Sequence, residues 1–228
     1  MIVHQGIYLP DGEKHLPEWM DKAGEIVDGK GSYQIKKYRK AVSYCTNFRT
    51  AVDIGAHVGF WSMQMAKQFA QVASFEPIPQ QRECFMRNLE GCENVELFAT
   101  ALGERAGFVR IITQPTSSGD SLVDAFGNDG VTAQPTEGEG KCVPVKTLDS
   151  FELENVDFIK ADCEGYELFA LRGGIETIKR CRPVVIVEQK PKRGQKFGLT
   201  ETGAVQFLES LGYRMMENLS GDFIVIPT

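Results

Sequence analysis

Thr50-Ala-Val-Asp-Ile-Gly-Ala-His-Val-Gly59 decides how this chain of 228 residues is read. The apolar run over 51–54 describes a buried strand, and Gly55 opens a tight turn. Apolar residues at Phe60, Met63, Met65, Ala66 and Phe69 then describe a helix over 60–69. A second apolar stretch, Gln71-Val-Ala-Ser-Phe-Glu-Pro77, gives a strand over 72–75 that closes on an acid. Strand, Asp-x-Gly-x-x-x-Gly turn, helix, and a second strand ending at Glu76 form the layout of a nucleoside pocket. The glycines let backbone approach a ligand, and the acid can accept hydrogen bonds from both ribose hydroxyls.

The pattern continues outward from this core. Pro79 suits a first helical turn, so 79–89 reads as a helix. A third strand follows over 95–101, and strands over 108–112 and 142–145 flank a long loop. Residues 156–161 form an apolar strand and 166–180 a helix. Residues 183–187 form another strand, whose leading proline is tolerated at a strand's first position. A helix over 204–211 ends at Gly212, and 213–218 with 222–226 read as a β-hairpin around Leu-Ser-Gly. Strands alternating with helices place the chain in the α/β class. The expected architecture is a Rossmann-like, doubly wound, mostly parallel seven-stranded sheet with a C-terminal antiparallel hairpin. Residues 1–49 read as a helical segment, with helices over 16–23 and 33–45, packing on a core domain of 50–228. The irregular stretch 115–140 is long for a connection in a compact domain, and reads either as a lid over substrate or as a surface insertion.

Composition excludes several classes. No run of apolar residues is long enough to span a membrane, and the N-terminus lacks a basic region followed by an apolar core, so neither a transmembrane helix nor a signal peptide is expected. The net charge of −6 argues against a nucleic-acid partner. The basic clusters Lys36-Lys-Tyr-Arg-Lys40 and Lys190-Pro-Lys-Arg193 read as solvated surfaces. The six cysteines show no CxxC spacing and the three histidines are scattered, so reduced thiols in a cytoplasmic protein, without zinc, are the expectation.

The turn also discriminates among cofactors. A pyrophosphate needs GxGxxG, but Ala56 stands where the second glycine would be, and Asp53 would repel phosphate. A dinucleotide-dependent oxidoreductase is therefore disfavoured. An acid beside the turn suits, directly or through backbone and water, the ammonium end of an amino-acid cofactor carrying a positive charge and no phosphates, which points to S-adenosylmethionine. His57 reads either as a contact to cofactor or substrate, or as the residue that holds the turn.

Seven ordered blocks carry a family resemblance: Val52-Asp-Ile-Gly-Ala-His-Val-Gly59, Ser74-Phe-Glu-Pro77, Asn94-Val-Glu-Leu97 with Ala101-Leu-Gly103, Val143-Pro-Val-Lys-Thr-Leu-Asp149, Asp157-Phe-Ile-Lys-Ala-Asp-Cys-Glu-Gly-Tyr-Glu167, Leu171-Arg-Gly-Gly174 and Arg182-Pro-Val-Val-Ile-Val-Glu188. The chain resembles the FkbM family of S-adenosylmethionine-dependent methyltransferases over roughly residues 50–190. The resemblance implies the class I methyltransferase fold, with cofactor contacts at Asp53, Gly55, Ala56, Gly59 and Glu76 and an adenine-side wall near Thr100 and Ala101. It also implies a hydroxyl acceptor on a sugar, glycan or small metabolite. His57 departs from the asparagine more often seen there.

Methyl transfer to a hydroxyl needs alignment and removal of a proton. Asp162 and Glu164 follow the 156–161 strand and Glu188 follows the 183–187 strand, so these acids are the candidates. Either one of them is a general base, or the three hold Mg²⁺ and so lower the pKa of a bound hydroxyl. A plainer reading leaves Glu164 and Glu167 in the first turn of a helix, favouring its dipole. Loss of catalysis in a binding protein of the same fold is the competing reading for the whole chain.

Overall fold

The computed structural model describes residues 1–114, 116–124 and 129–228. The quoted stretch forms β1 (Thr50–Ile54), buried along its whole length. Six further strands join it: β2 (Gln71–Phe75), β3 (Val95–Phe98), β4 (Val156–Ala161), β5 (Val184–Glu188), β6 (Tyr213–Asn218) and β7 (Asp222–Pro227). The spatial order is β6-β7-β5-β4-β1-β2-β3. All neighbours run parallel except β7, which is antiparallel to both β5 and β6. This is the class I S-adenosylmethionine methyltransferase fold. The chain moves outward from β1 to β3, then crosses back to place β4 beside β1, so the strand order reverses at β1 and β4.

Successive residues feed opposite faces of the sheet, as the strand period demands. Phe158, Val184, Ile186 and Ile224 enter one apolar layer, while Ile159, Val185, Val187 and Val225 enter the other. Both faces are covered, which is why the strands read as continuous apolar runs rather than alternating ones. Helices α2 (Ile35–Val42), α3 (Phe60–Met65) and α4 (Pro79–Asn88) pack on the first face, along with Ile7, Leu9, Leu16 and Met20 from the N-terminal segment. Helices α5 (Glu167–Arg172), α6 (Ile175–Cys181) and α7 (Gly203–Ser210) cover the second. The N-terminal segment also contains α1 (His15–Ala23) and two small hairpins, Ile2–His4 with Ile7–Leu9 and Ile26–Val27 with Lys30–Gly31, in a region read from sequence as helical only.

Two other elements depart from the sequence reading. The third strand stops at Phe98. Ala101–Leu102 leaves the central sheet and pairs in parallel with Lys141–Lys146 in a separate four-stranded sheet that also holds Gly107–Ile112 and Leu122–Val123. The helix expected over 166–180 is two helices, broken at Gly173-Gly174. A Cβ on Gly173 would lie 2.0 Å from the carbonyl oxygen of Gly103, so only glycine lets this helix approach the second sheet. Most of 115–140 lies in or against that second sheet, with residues 115 and 125–128 outside the described residues. No helix among the described residues is long and apolar enough to cross a membrane, and all six cysteines are free.

Candidate active site

A deep cavity opens at the carboxyl ends of β1, β2, β4 and β5, where a doubly wound sheet binds its ligands. The turn after β1 forms one wall. Gly55 (φ +73) and Ala56 donate their N–H groups to the Phe75 carbonyl at 3.1 and 3.0 Å, pinning the turn to the end of β2. A Cβ on Gly55 would sit 2.0 Å from the Asp162 carbonyl oxygen, so glycine lets this turn rest directly on the loop after β4.

Glu76 faces the same cavity and is only 3% exposed. Its Oε2 accepts the His57 N–H at 2.9 Å and its Oε1 the Ile78 N–H at 2.8 Å. Burial pushes the carboxyl up to about 7, with those two N–H groups acting against it. Thr100 and Ala101 line the wall beyond, next to apolar Phe75 and Leu102; the Thr100 hydroxyl donates to the Pro144 carbonyl at 2.9 Å.

At the other end stand Asp162, Glu164 and Glu188, each offering one oxygen within 4.8 Å of the other two. Three cations face them: Lys190 Nζ lies 2.6 Å from Glu188, Arg193 Nε 3.1 Å from Glu164, and Lys160 Nζ 3.9 Å from Asp162. Burial, then Asp162, push the Glu164 carboxyl up to about 7. Glu188 is raised further by burial and by both acids, despite Lys190. Tyr33, from the N-terminal segment, lines the same end, and burial beside Asp162 pushes its phenol up to about 12.

The segment 117–121 forms part of the cavity wall. Ser118 joins it to the rest: its Oγ lies 2.8 Å from His57 Nε2, its N–H donates to Glu13 Oε2 at 2.6 Å, and its carbonyl accepts from Gln81 at 2.8 Å. Asp120 pairs with Arg193. His57 has φ +53, a left-handed conformation that histidine adopts more readily than most residues, as asparagine does. Its backbone therefore holds the turn while its ring holds the 117–121 segment. Burial pulls the imidazole down to about 4, so the ring is neutral.

The profile of the methyltransferase FkbM domain matches residues 53–215. The chain belongs to the FkbM methyltransferase family. Among solved structures it is similar to the FkbM methyltransferase of Methylobacillus flagellatus KT, at 14% identity and a TM-score of 0.51, covering 84% of this chain and 50% of that one. The present chain thus spans half the length of that relative. It is also similar to a TehB-like S-adenosylmethionine-dependent methyltransferase of Corynebacterium glutamicum, at 10% identity and a TM-score of 0.50, covering 94% and 96% of the two chains. At such identities the likeness is one of fold. No curated protein matches the chain at a significant level.

The FkbM motif residues do not all face the cavity. Gly55, Ala56, His57, Glu76, Thr100, Ala101, Asp162, Glu164 and Glu188 line it; Asp53 and Gly59 do not. Gly59 lies under Leu89 and Phe85, where its missing side chain serves helix packing. Asp53 is fully buried below the turn, accepting the Ser62 hydroxyl at 2.6 Å and lying 3.3 Å from Lys160 Nζ. The ammonium that Asp53 meets is therefore the protein's own; of the two routes expected for this acid, this burial disfavours direct cofactor contact and leaves the one through backbone and water. The helix-dipole reading separates the two glutamates after β4. Glu167 Oε1 accepts the N–H groups of Cys163 and Gly165, both at 2.9 Å, at the start of α5, whereas Glu164 precedes the helix with φ +55 and faces the cavity.

Sequence reasoning passed over five participants. Lys190 and Arg193, read as a solvated basic loop, bracket the acidic cluster. Tyr33 and Glu13 come from a segment with no motif. Lys160 carried a usable signal, since it is a charge inside the otherwise apolar run Phe158-Ile-Lys-Ala161, and burying it demands partners.

Proposed function

We propose that this FkbM chain binds S-adenosylmethionine in the cavity and methylates a hydroxyl oxygen on a sugar, glycan or small metabolite. The observation that carries the reading is one cavity with a buried acid suited to ribose at one end and a cluster of acids at the other. The residues present fit the cofactor. Glu76 offers remaining lone pairs to ribose hydroxyls, the Gly55–Ala56 turn borders the cavity with small residues, and Phe75, Thr100, Ala101 and Leu102 form a wall for a flat base. When bound, this cofactor supplies an electrophilic methyl group.

The acceptor must present its oxygen beside Asp162, Glu164 and Glu188 and lose a proton there. Asp162 is the base in this proposal, because it lines the cavity directly after β4, within reach of both Glu164 and Glu188 and with Lys160 Nζ 3.9 Å away. Burial raises Glu164 and Glu188 above the ordinary carboxyl range, so these two suit hydrogen bonding to neighbouring hydroxyls of the acceptor. The segment 117–121 and Tyr33 line the cavity around this end. Six free thiols and the acidic net charge suit a cytoplasmic protein acting on a small molecule rather than on nucleic acid.

A divalent cation is the second reading, favoured by the three converging oxygens. Each of these carboxylates already faces a lysine or arginine, so a metal would have to displace those cations. The test is release of S-adenosylhomocysteine with a panel of polyhydroxylated acceptors. Asp162→Asn is expected to abolish turnover and spare cofactor binding; near-normal turnover in that variant overturns the assignment. Full activity in EDTA excludes the metal, and loss restored by Mg²⁺ supports it.

A further inference from the structure

Lys160 is only 5% exposed, in the middle of the sheet, yet it carries a charge. Its Nζ donates to the Gly55 carbonyl at 2.7 Å and approaches the Ile54 carbonyl at 3.3 Å. The same atom lies 3.3 Å from Asp53 and 3.9 Å from Asp162. Burial acts to lower the ammonium, but Asp53 and Asp162 outweigh it and hold the group above its ordinary value. One side chain on β4 therefore touches the turn after β1, an acid within β1 and the acid that follows β4. The two loops are also in direct backbone contact: the Asp162 N–H donates to the Ile54 carbonyl at 3.1 Å, and Gly55 has no room for a Cβ against the Asp162 carbonyl.

Resting on the cofactor reading above, we infer that Lys160 is a positioning residue that braces the cofactor turn against Asp162, so that ordering one end of the cavity orders the other. Lys160 does not line up with a reacting atom in this role. It holds the Gly55 carbonyl, adds a second donor to the Ile54 carbonyl that the Asp162 N–H already bonds, and places a positive charge beside the Asp162 carboxylate. Asp53 supplies the buried counter-charge, and its second oxygen is spent on Ser62.

A plainer role is possible for such a pair: Lys160 neutralises Asp53 and does nothing more. The two roles differ in a double variant. Lys160→Met alone strands the Asp53 charge in the core and risks misfolding. Asp53→Asn with Lys160→Met removes both charges and keeps the side-chain volumes.

The probe is S-adenosylhomocysteine, read by calorimetry and by hydrogen exchange of the loops at 55–58 and 162–165. In the wild type, ligand is expected to slow exchange in both loops together. In the folded double variant, affinity is expected to fall roughly tenfold or more, with slowing confined to the 55–58 loop. Wild-type affinity in the double variant, or ligand protection of both loops despite the substitutions, overturns the inference. Failure of the double variant to fold also overturns it, since the pair would then be a folding element. Failure of the wild type to bind S-adenosylhomocysteine instead removes the cofactor reading on which the inference rests.

Discussion

The two oxygens of Glu76 each accept one backbone N–H, from His57 and Ile78, and burial lifts the group to about 7. A carboxyl in that range changes charge near neutrality, and its charged form is the better acceptor for ribose hydroxyls. S-adenosylhomocysteine affinity is therefore expected to rise as the pH increases from about 6 to about 8. Glu76→Gln should weaken binding roughly tenfold or more at the upper end and flatten the pH dependence, both measurable by calorimetry. His57 is shifted in the opposite direction. Its folded value near 4 lies below the ordinary 6.5, so the stability it contributes is present above about 6.5 and lost as the pH falls through about 4. Because φ is +53, His57→Asn should keep the fold and lose this acid-side term, while His57→Ala should cost about 1 kcal/mol more. Thermal melts between those pH limits check both. The sequence leaves His57 between a contact to cofactor or substrate and a residue that holds the turn, and neither substitution pattern is readable there. Only its left-handed backbone and its contact with Ser118 make the residue intelligible.

Single elements explain which parts of the fold were legible. The strands of the central sheet carry continuous apolar runs, because helices cover both faces, and those runs were visible directly. The break between α5 and α6 was written as Gly173-Gly174 but was hidden by the helical periodicity on either side, since its cause is a contact with Gly103, seventy residues earlier in the chain. Gly173→Ala is expected to cost about 2–3 kcal/mol by denaturant unfolding, because the obstructing atom is a backbone oxygen. Gly174→Ala meets a leucine side chain and should cost less. The 117–121 segment is tied to α1 as well as to the cavity, since the Lys14 and His15 N–H groups both donate to the Thr116 carbonyl, at 3.1 and 3.3 Å. Glu13→Ala should therefore raise hydrogen exchange at 117–121 while the sheet amides stay protected. Unchanged exchange there would show that Glu13 is not the latch.

In the whole molecule, the sheet order alone brings Glu76, the Gly55 turn, Asp162 and Glu188 to one edge, although they are spread over more than a hundred residues of chain. That convergence was foreseeable from the alternation of strands and helices, which places these residues after successive strands of one sheet. The cations that face the acids were not foreseeable, because Lys190 and Arg193 differ from surface residues only in where the chain returns after β5. The N-terminal segment was likewise silent in sequence, yet it contributes Tyr33 to the cavity wall and Glu13 to the segment above it. The central claim is that this cavity is built for S-adenosylmethionine rather than for a dinucleotide. Its most direct test is calorimetric titration of the purified chain with S-adenosylhomocysteine and, separately, with NADH. Saturable binding of one S-adenosylhomocysteine per chain, weakened by Glu76→Gln, with no heat from NADH, is the expected result; NADH binding without S-adenosylhomocysteine binding would contradict it.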